Sequence, residues 1–139
     1  ISLKGMGVGR RERGEGMPGT IKTFQDLDTW KEAHALLLMV YRMTESFPDK
    51  EKFGMISQIR RASLSVTSNI AEGFGRLTQP DRLRFYSMAA GSLTEVQNQL
   101  IASQDLTFLS INHFRQAWDQ SETAKRLLSG LIRSARNRP

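Results

Sequence analysis

The chain has no cysteine. That excludes a disulfide framework, a thiolate zinc site and a cysteine nucleophile, and it fits a reducing compartment, with the cytoplasm as the expected location. Long apolar runs are also missing. The longest, Ala35 to Tyr41, is about a third of the ~20 residues a membrane span requires, so no membrane association is expected. Histidine is scarce: His34 and His113 stand alone, outside any HExxH or ExxH pattern, and no metal or cofactor site is expected. His34 follows Glu32 and precedes the apolar run, which reads as ordinary packing; His113 falls in the first turn of a helix, at the surface. Strand-like alternation is nearly absent, and no Ser, His and Asp arrangement has supporting motif context. The chain is expected not to be an enzyme.

What remains is the composition of one globular domain: 139 residues, 39% hydrophobic and 24% charged. The net charge of +6 sits at the ends. Residues 1–23 carry Lys4, Arg10, Arg11, Arg13 and Lys22 against Glu12 and Glu15, a net of +3. The last fifteen carry Lys125, Arg126, Arg133, Arg136 and Arg138 without an acid, a net of +5. The middle is slightly negative. Residues 1–23 are rich in glycine and read as a flexible Gly/Arg-rich arm, in which Met17 is a plausible start. The Gly5, Gly7, Gly9 spacing lacks the strand and helix of a phosphate loop.

From Phe24 four segments show helical periodicity. The first, with Asp26 or Asp28 as N-cap, lines up Leu27, Trp30, Ala33, Leu37, Val40, Thr44 and Phe47 and ends at Pro48. The second, from about Glu51 to Glu72, aligns Met55, Ile59, Ala62, Val66 and Ile70, with Gly73 and Gly75 as its stop. Thr78 opens the third, with Asp81 three residues on, Pro80 tolerated in the first turn, and a line of Phe85, Ala89, Leu93, Val96 and Leu100. Ser110 caps the fourth, which carries Phe114, Ala117, Ser121, Ala124, Leu128, Leu131 and Ala135. Helices of this length joined by short loops run antiparallel. The expected fold is an all-α, up-down-up-down four-helix bundle over 24–135, followed by a basic tail, 136–139.

Two constellations stand out. Gln58, Arg61, Ser65, Ser68 and Glu72 recur in steps of three and four, one stripe down the second helix. The stripe is either a solvated or helix-packing face, or part of a surface on which Arg60, Arg61 and Arg76 meet phosphates in bidentate fashion. Ala89, Ala90, Gly91 and Ser92 put small residues mid-helix, where glycine costs about 1 kcal/mol relative to alanine. Close packing within the bundle, or a subunit interface, would compensate.

FQDLDTW (24–30), VYRMTESFP (40–48), QIRRASLSVTSNIAEGFGR (58–76) and AAGSLTEVQNQL (89–100) occur in the order found in a known family. On these stretches the chain resembles the bacterial four-helix-bundle proteins encoded in intervening sequences of large-subunit ribosomal RNA genes. The resemblance implies a non-enzymatic bundle assembling into a homopentamer. It also implies kinship with the accessory proteins of diversity-generating retroelements, which bind nucleic acid and a reverse transcriptase. Gln58, Arg60, Arg61, Ser65, Asn69, Glu72, Gly73 and Arg76 match the motif on the second helix, and Gly91, Ser92 and Glu95 match it on the third. Thr67 replaces a common proline, which should straighten the second helix; Ala90 replaces a usual basic residue, which removes a charge from that face.

The leading expectation is therefore an RNA-binding or ribonucleoprotein scaffold, homo-oligomeric, offering Arg60, Arg61, Arg76, Arg133, Arg136 and Arg138 to phosphate without reading bases. Gln58, Ser65, Asn69, Glu72, Gly73, Gly91, Ser92 and Glu95 are expected at an interface or in structural roles. The alternative is a protein-interaction adaptor, for example an accessory subunit of a reverse transcriptase.

Overall fold

The computed structural model describes residues 20–137. The arm before Thr20, and Arg138 with it, lie outside the described residues. Four helices follow a 3₁₀ turn at Phe24–Asp26: α1 (Asp28–Thr44), α2 (Met55–Phe74), α3 (Gln79–Asp105) and α4 (Ile111–Arg136). A second 3₁₀ turn, Asp49–Glu51, lies between α1 and α2. Each helix packs on its chain neighbours, and α4 closes back onto α1. Side-chain bridges fix the antiparallel sense: Ser65 to Ser92 between α2 and α3, Gln97 to Ser121 between α3 and α4, and Gln120 to the Glu32 carbonyl between α4 and α1. The expected up-down-up-down bundle is the fold.

The helix ends differ from expectation in two places. Neither Asp26 nor Asp28 is the N-cap of α1: Leu27 flanks the helix and Asp28 is its first residue. Asp26 instead turns back, its Oδ2 accepting from the backbone N–H of Lys22 (2.9 Å) and Thr23 (3.1 Å), and so caps the preceding 3₁₀ turn. Likewise Glu51 does not begin α2 but belongs to the second 3₁₀ turn, where its Oε1 accepts from the N–H of Met55 at 3.1 Å. Thr78 and Ser110 cap α3 and α4 as expected, accepting from the N–H of Asp81 and His113. α4 runs through Arg136, one residue beyond the expected boundary. α2 continues unbroken past Thr67, whose hydroxyl bonds the Leu64 carbonyl at 2.9 Å.

The core is layered from Leu36, Val40, Ile59, Val66, Ile70, Leu93, Val96, Leu100 and Leu128, with small Ala117 and Ala124 letting α4 approach. The expected line of α1 is buried, Leu37 included and Trp30 in part, and Leu36 joins it as the innermost leucine of its run; the α3 line shifts by one residue, Tyr86 rather than Phe85 filling it at 1% exposure. Tyr86 fits because Gly73 lies opposite: a Cβ built on Gly73 would stand 2.6 Å from Tyr86 Cε1. Gly73 therefore serves helix approach, while Gly75 makes the C-cap, its N–H reaching the carbonyls of Ala71 and Glu72.

Candidate nucleic-acid interface

The antiparallel topology decides where the basic residues meet. The N-terminus of α1, the C-terminus of α2, the N-terminus of α3 and the C-terminus of α4 share one end of the bundle. There Gln79, at the start of α3, donates its side-chain amide to the carbonyls of Ala135 (2.6 Å) and Arg136 (2.7 Å), closing the last turn of α4 against α3. The half of the bundle at this end holds Lys22, Lys31, Arg76, Arg82, Arg84, Lys125, Arg126, Arg133 and Arg136 against Asp26, Asp28, Glu32, Glu72 and Asp81, a surplus of four positive charges. The other half holds Arg42, Lys50, Lys52, Arg60, Arg61 and Arg115 against Glu45, Asp49, Glu51, Glu95, Asp105, Asp119 and Glu122, one negative charge in excess. Thr20 and Asn137, the first and last described residues, both lie at the basic end.

Aromatic rings hold several of these arginines in place. The guanidinium carbons of Arg76 and Arg84 lie 4.5 Å and 4.6 Å from the centroid of Phe85. Arg76 also pairs with Glu72 at 2.8 Å, and its Nε is buried with no hydrogen-bond partner. Arg82 lies over Phe74 at 5.8 Å and donates its Nε to the Arg76 carbonyl at 2.8 Å. Phe85, displaced from the core by Tyr86, is thus the ring around which two cations are organised. Arg133 and Arg136 extend into solvent from the last turn of α4, where the helix dipole favours positive charge.

Arg60 and Arg61 do not join this cluster. Arg60 donates its Nε to Thr44 Oγ1 (2.9 Å) and Nη2 to the Tyr41 carbonyl (3.2 Å), and lies 4.4 Å above the Tyr41 ring. It ties α2 to the carboxyl end of α1. Arg61 is exposed on the outer stripe, well over half of α2's length from Arg76. Arg82 and Arg84 were missed by sequence reasoning; the available signal was their position just inside α3, which an antiparallel bundle puts beside the end of α4.

The motif residues gather on the outer seam between α2 and α3. Ser65 and Ser92 hydroxyls meet at 2.8 Å, and Asn69 donates to both the carbonyl and the hydroxyl of Ser65. Gln58, Glu72 and Glu95 are exposed along the same seam, Glu95 accepting a long hydrogen bond from Gln99 at 3.5 Å. Gly91 is exposed, and among the described residues nothing outside its own helix turn comes within 4 Å of a Cβ built there. Close packing inside the bundle therefore explains Ala89 and Ser92 but not Gly91.

His34 stacks on Trp30 with ring centroids 4.6 Å apart, and Phe24 meets the same indole edge-on at 5.4 Å. Desolvation holds the His34 pKa below its ordinary value. Among the described residues, no group of three or more His, Cys, Asp or Glu is placed to hold a metal, and no helix is long and apolar enough to cross a membrane.

The fold is shared with a solved crystal structure, that of a protein with unknown function from the S23 ribosomal protein family of Bacteroides thetaiotaomicron VPI-5482. The two align with a TM-score of 0.70 at 17% identity, over 76% of this chain and 95% of that one. No curated protein sequence matches the chain. The match that identifies it covers residues 25–130, the whole span from the first 3₁₀ turn to the last third of α4: the chain belongs to the 23S rRNA-intervening sequence protein family.

Proposed function

We propose that the protein is a non-enzymatic RNA-binding scaffold of a ribonucleoprotein, acting in the cytoplasm as a homo-oligomer with a pentamer as the expected size. One observation carries the reading: the positive charge is segregated onto one end of the bundle, where Arg76, Arg82, Arg84, Arg133 and Arg136 converge. Guanidinium groups held by rings lose little freedom on meeting phosphate, and the bidentate fork suits phosphate oxygens. The family's name, tied to 23S rRNA, supports the same partner. In a homo-oligomer the basic end is repeated once per subunit.

The test is the salt dependence of binding to a structured RNA. Replacing Arg133, Arg136 and Arg138 with Gln should flatten the slope of log K against log salt by roughly 0.7–0.9 for each phosphate that the protein ceases to neutralise. Adding Arg84→Gln should flatten it further. Arg60→Gln should leave the slope unchanged, because that side chain is committed to Thr44 and Tyr41. Wild-type protein with no salt-sensitive RNA binding at moderate ionic strength would end the reading.

The second reading, a protein-interaction adaptor such as an accessory subunit of a reverse transcriptase, is favoured by Gly91. A mid-helix glycine that is exposed and unpacked costs about 1 kcal/mol relative to alanine, and close approach of another chain would compensate. Light scattering on a sizing column tests self-association; a monomer at micromolar concentration removes the oligomer and leaves the adaptor.

A further inference from the structure

The basic end also contains an open cavity of about 590 Å³ with a mixed polar and apolar lining, within the range of roughly 300–1,000 Å³ that ligand pockets occupy. Its apolar side is formed chiefly by Ile21, Leu27, Leu77 and Leu131, and its polar side by Gln79, Arg82 and Ser134. Leu77 is 97% exposed and Ile21 52% exposed. A leucine so placed contributes nothing to the fold and leaves apolar surface beside the opening. The rings nearby are already used, Tyr86 in the core and Phe74 beneath Arg82, so no free aromatic face invites a nucleobase. The lining suits an aliphatic side chain instead.

Charge selects what carries that side chain. Arg82 lies in the wall, and Arg84, Arg133 and Arg136 belong to the same end of the bundle. A basic segment would be repelled there, which argues against the protein's own arm, since residues 1–19 carry two positive charges in excess. We infer that this cavity is a docking site for an acidic segment of a partner protein, which buries a Leu-type or Phe-type anchor between Leu77 and Leu131 and sets its carboxylates against the arginines. The site is separate in chemistry from RNA contact by the arginines, although the two share the rim.

The test is selection of a random linear peptide library on the full chain, followed by binding measurements with the synthesised winner. Expected winners carry Asp or Glu on both sides of a large apolar residue. Leu77→Ser should weaken the winner about tenfold, the effect of exposing one leucine that the complex buries, while leaving the melting temperature and RNA affinity unchanged. Arg133→Gln with Arg136→Gln should weaken both peptide and RNA. The inference is overturned if winners lack acids, if no peptide is enriched, or if the winner binds Leu77→Ser as well as wild type. It is equally overturned if Leu77→Ser weakens RNA binding, which would assign the cavity to nucleic acid, or if it abolishes self-association, which would assign the cavity to a second copy.

Discussion

Replacing Gly73 with alanine should destabilise the protein, although alanine is the better helix former. The new methyl would stand 2.6 Å from Tyr86 Cε1, 2.8 Å from Cδ1 and 3.2 Å from Phe85 Cβ. Favourable carbon contacts lie at about 3.5–4.0 Å, so the ring must retreat by about 1 Å. It has nowhere to go: Tyr86 is 1% exposed and surrounded by the core. The alternative is for α3 to move away from α2, which strains the Ser65–Ser92 bridge at the same seam. Overpacking of this kind costs about 1–3 kcal/mol. The contact is deep enough to place it at the upper end, and alanine's helix preference offsets about 1 kcal/mol.

The net expectation is a destabilisation of about 1–2 kcal/mol, read as a fall in melting temperature of about 4 °C per kcal/mol. Far-UV circular dichroism at equal protein concentration measures it, since any self-association makes melting concentration-dependent. A double-mutant cycle isolates the cause. In a Tyr86→Ala background, itself costly by about 3–5 kcal/mol, Gly73→Ala should become neutral or stabilising. Equal stability of Gly73→Ala and wild type would refute the reasoning, as would an undiminished penalty in the Tyr86→Ala background.

Gly91→Ala should do the reverse, raising the stability of an isolated subunit by about 1 kcal/mol because its Cβ meets nothing; in a self-associating sample the same change should weaken assembly if another helix approaches there, which sedimentation would show. Thr107 sits at φ 65 in the turn after α3, where the Phe108 N–H reaches the Ser103 carbonyl at 2.9 Å and the Thr107 N–H reaches Gln104. This is the left-handed closing position of a helix, so Thr107→Gly should stabilise by about 0.5–1 kcal/mol in chemical denaturation, and no gain would contradict it. Desolvation lowers the pKa of His34, so its folded value lies below its unfolded one. Its contribution is present above the unfolded value and is lost as pH falls through and below it, and replacing His34 with Gln should flatten the stability profile between about pH 7 and 5.

Helix number and order were legible because long 3.6-residue periodicities are hard to mistake, and two of the four N-caps were read from Thr78 and Ser110 alone. The phase of a line was not legible where two large apolar residues adjoin. Phe85 and Tyr86 both continue a series through 89, 93, 96 and 100, since steps of three and of four are each acceptable on a helix. Only Gly73, on another helix, decides between them, by leaving room for the Tyr86 ring. The first cap failed for a related reason: Asp26 can close a 3₁₀ turn as readily as an α-helix, and Leu27 separates the two. In the candidate site, the stripe on α2 was legible as one face. Arg60, however, is spent on α1, through a bond to a residue sixteen positions earlier. No local pattern records that.

The arginines at the basic end differ in what the fold alone would ask of them. Arg133 and Arg136 stand in the last turn of α4 and Arg76 follows the end of α2, sites where a helix's own dipole welcomes a cation. Arg82 and Arg84 stand within two turns of the start of α3, where the same dipole favours an acid such as Asp81. The dipole therefore gives no reason for arginine at 82 and 84, although Arg82 closes the exit of α2 through the Arg76 carbonyl and Arg84 lies near Asp81. Both are retained by rings, Phe74 and Phe85, and Phe85 is a large aromatic kept out of the core to do so. Arg76 and Arg84 converge on that one ring, Arg76 paired tightly with Glu72 and Arg84 lying 3.9 Å from Asp81. Like charges gathered around one ring, with Arg82 and Arg84 at the dipole's unfavourable end, raise the energy of the isolated subunit. That cost is relieved when an anion arrives, so the same arrangement that is mildly unfavourable for folding is favourable for binding. This opposition, rather than the total charge of the chain, is what the proposed anionic partner would relieve.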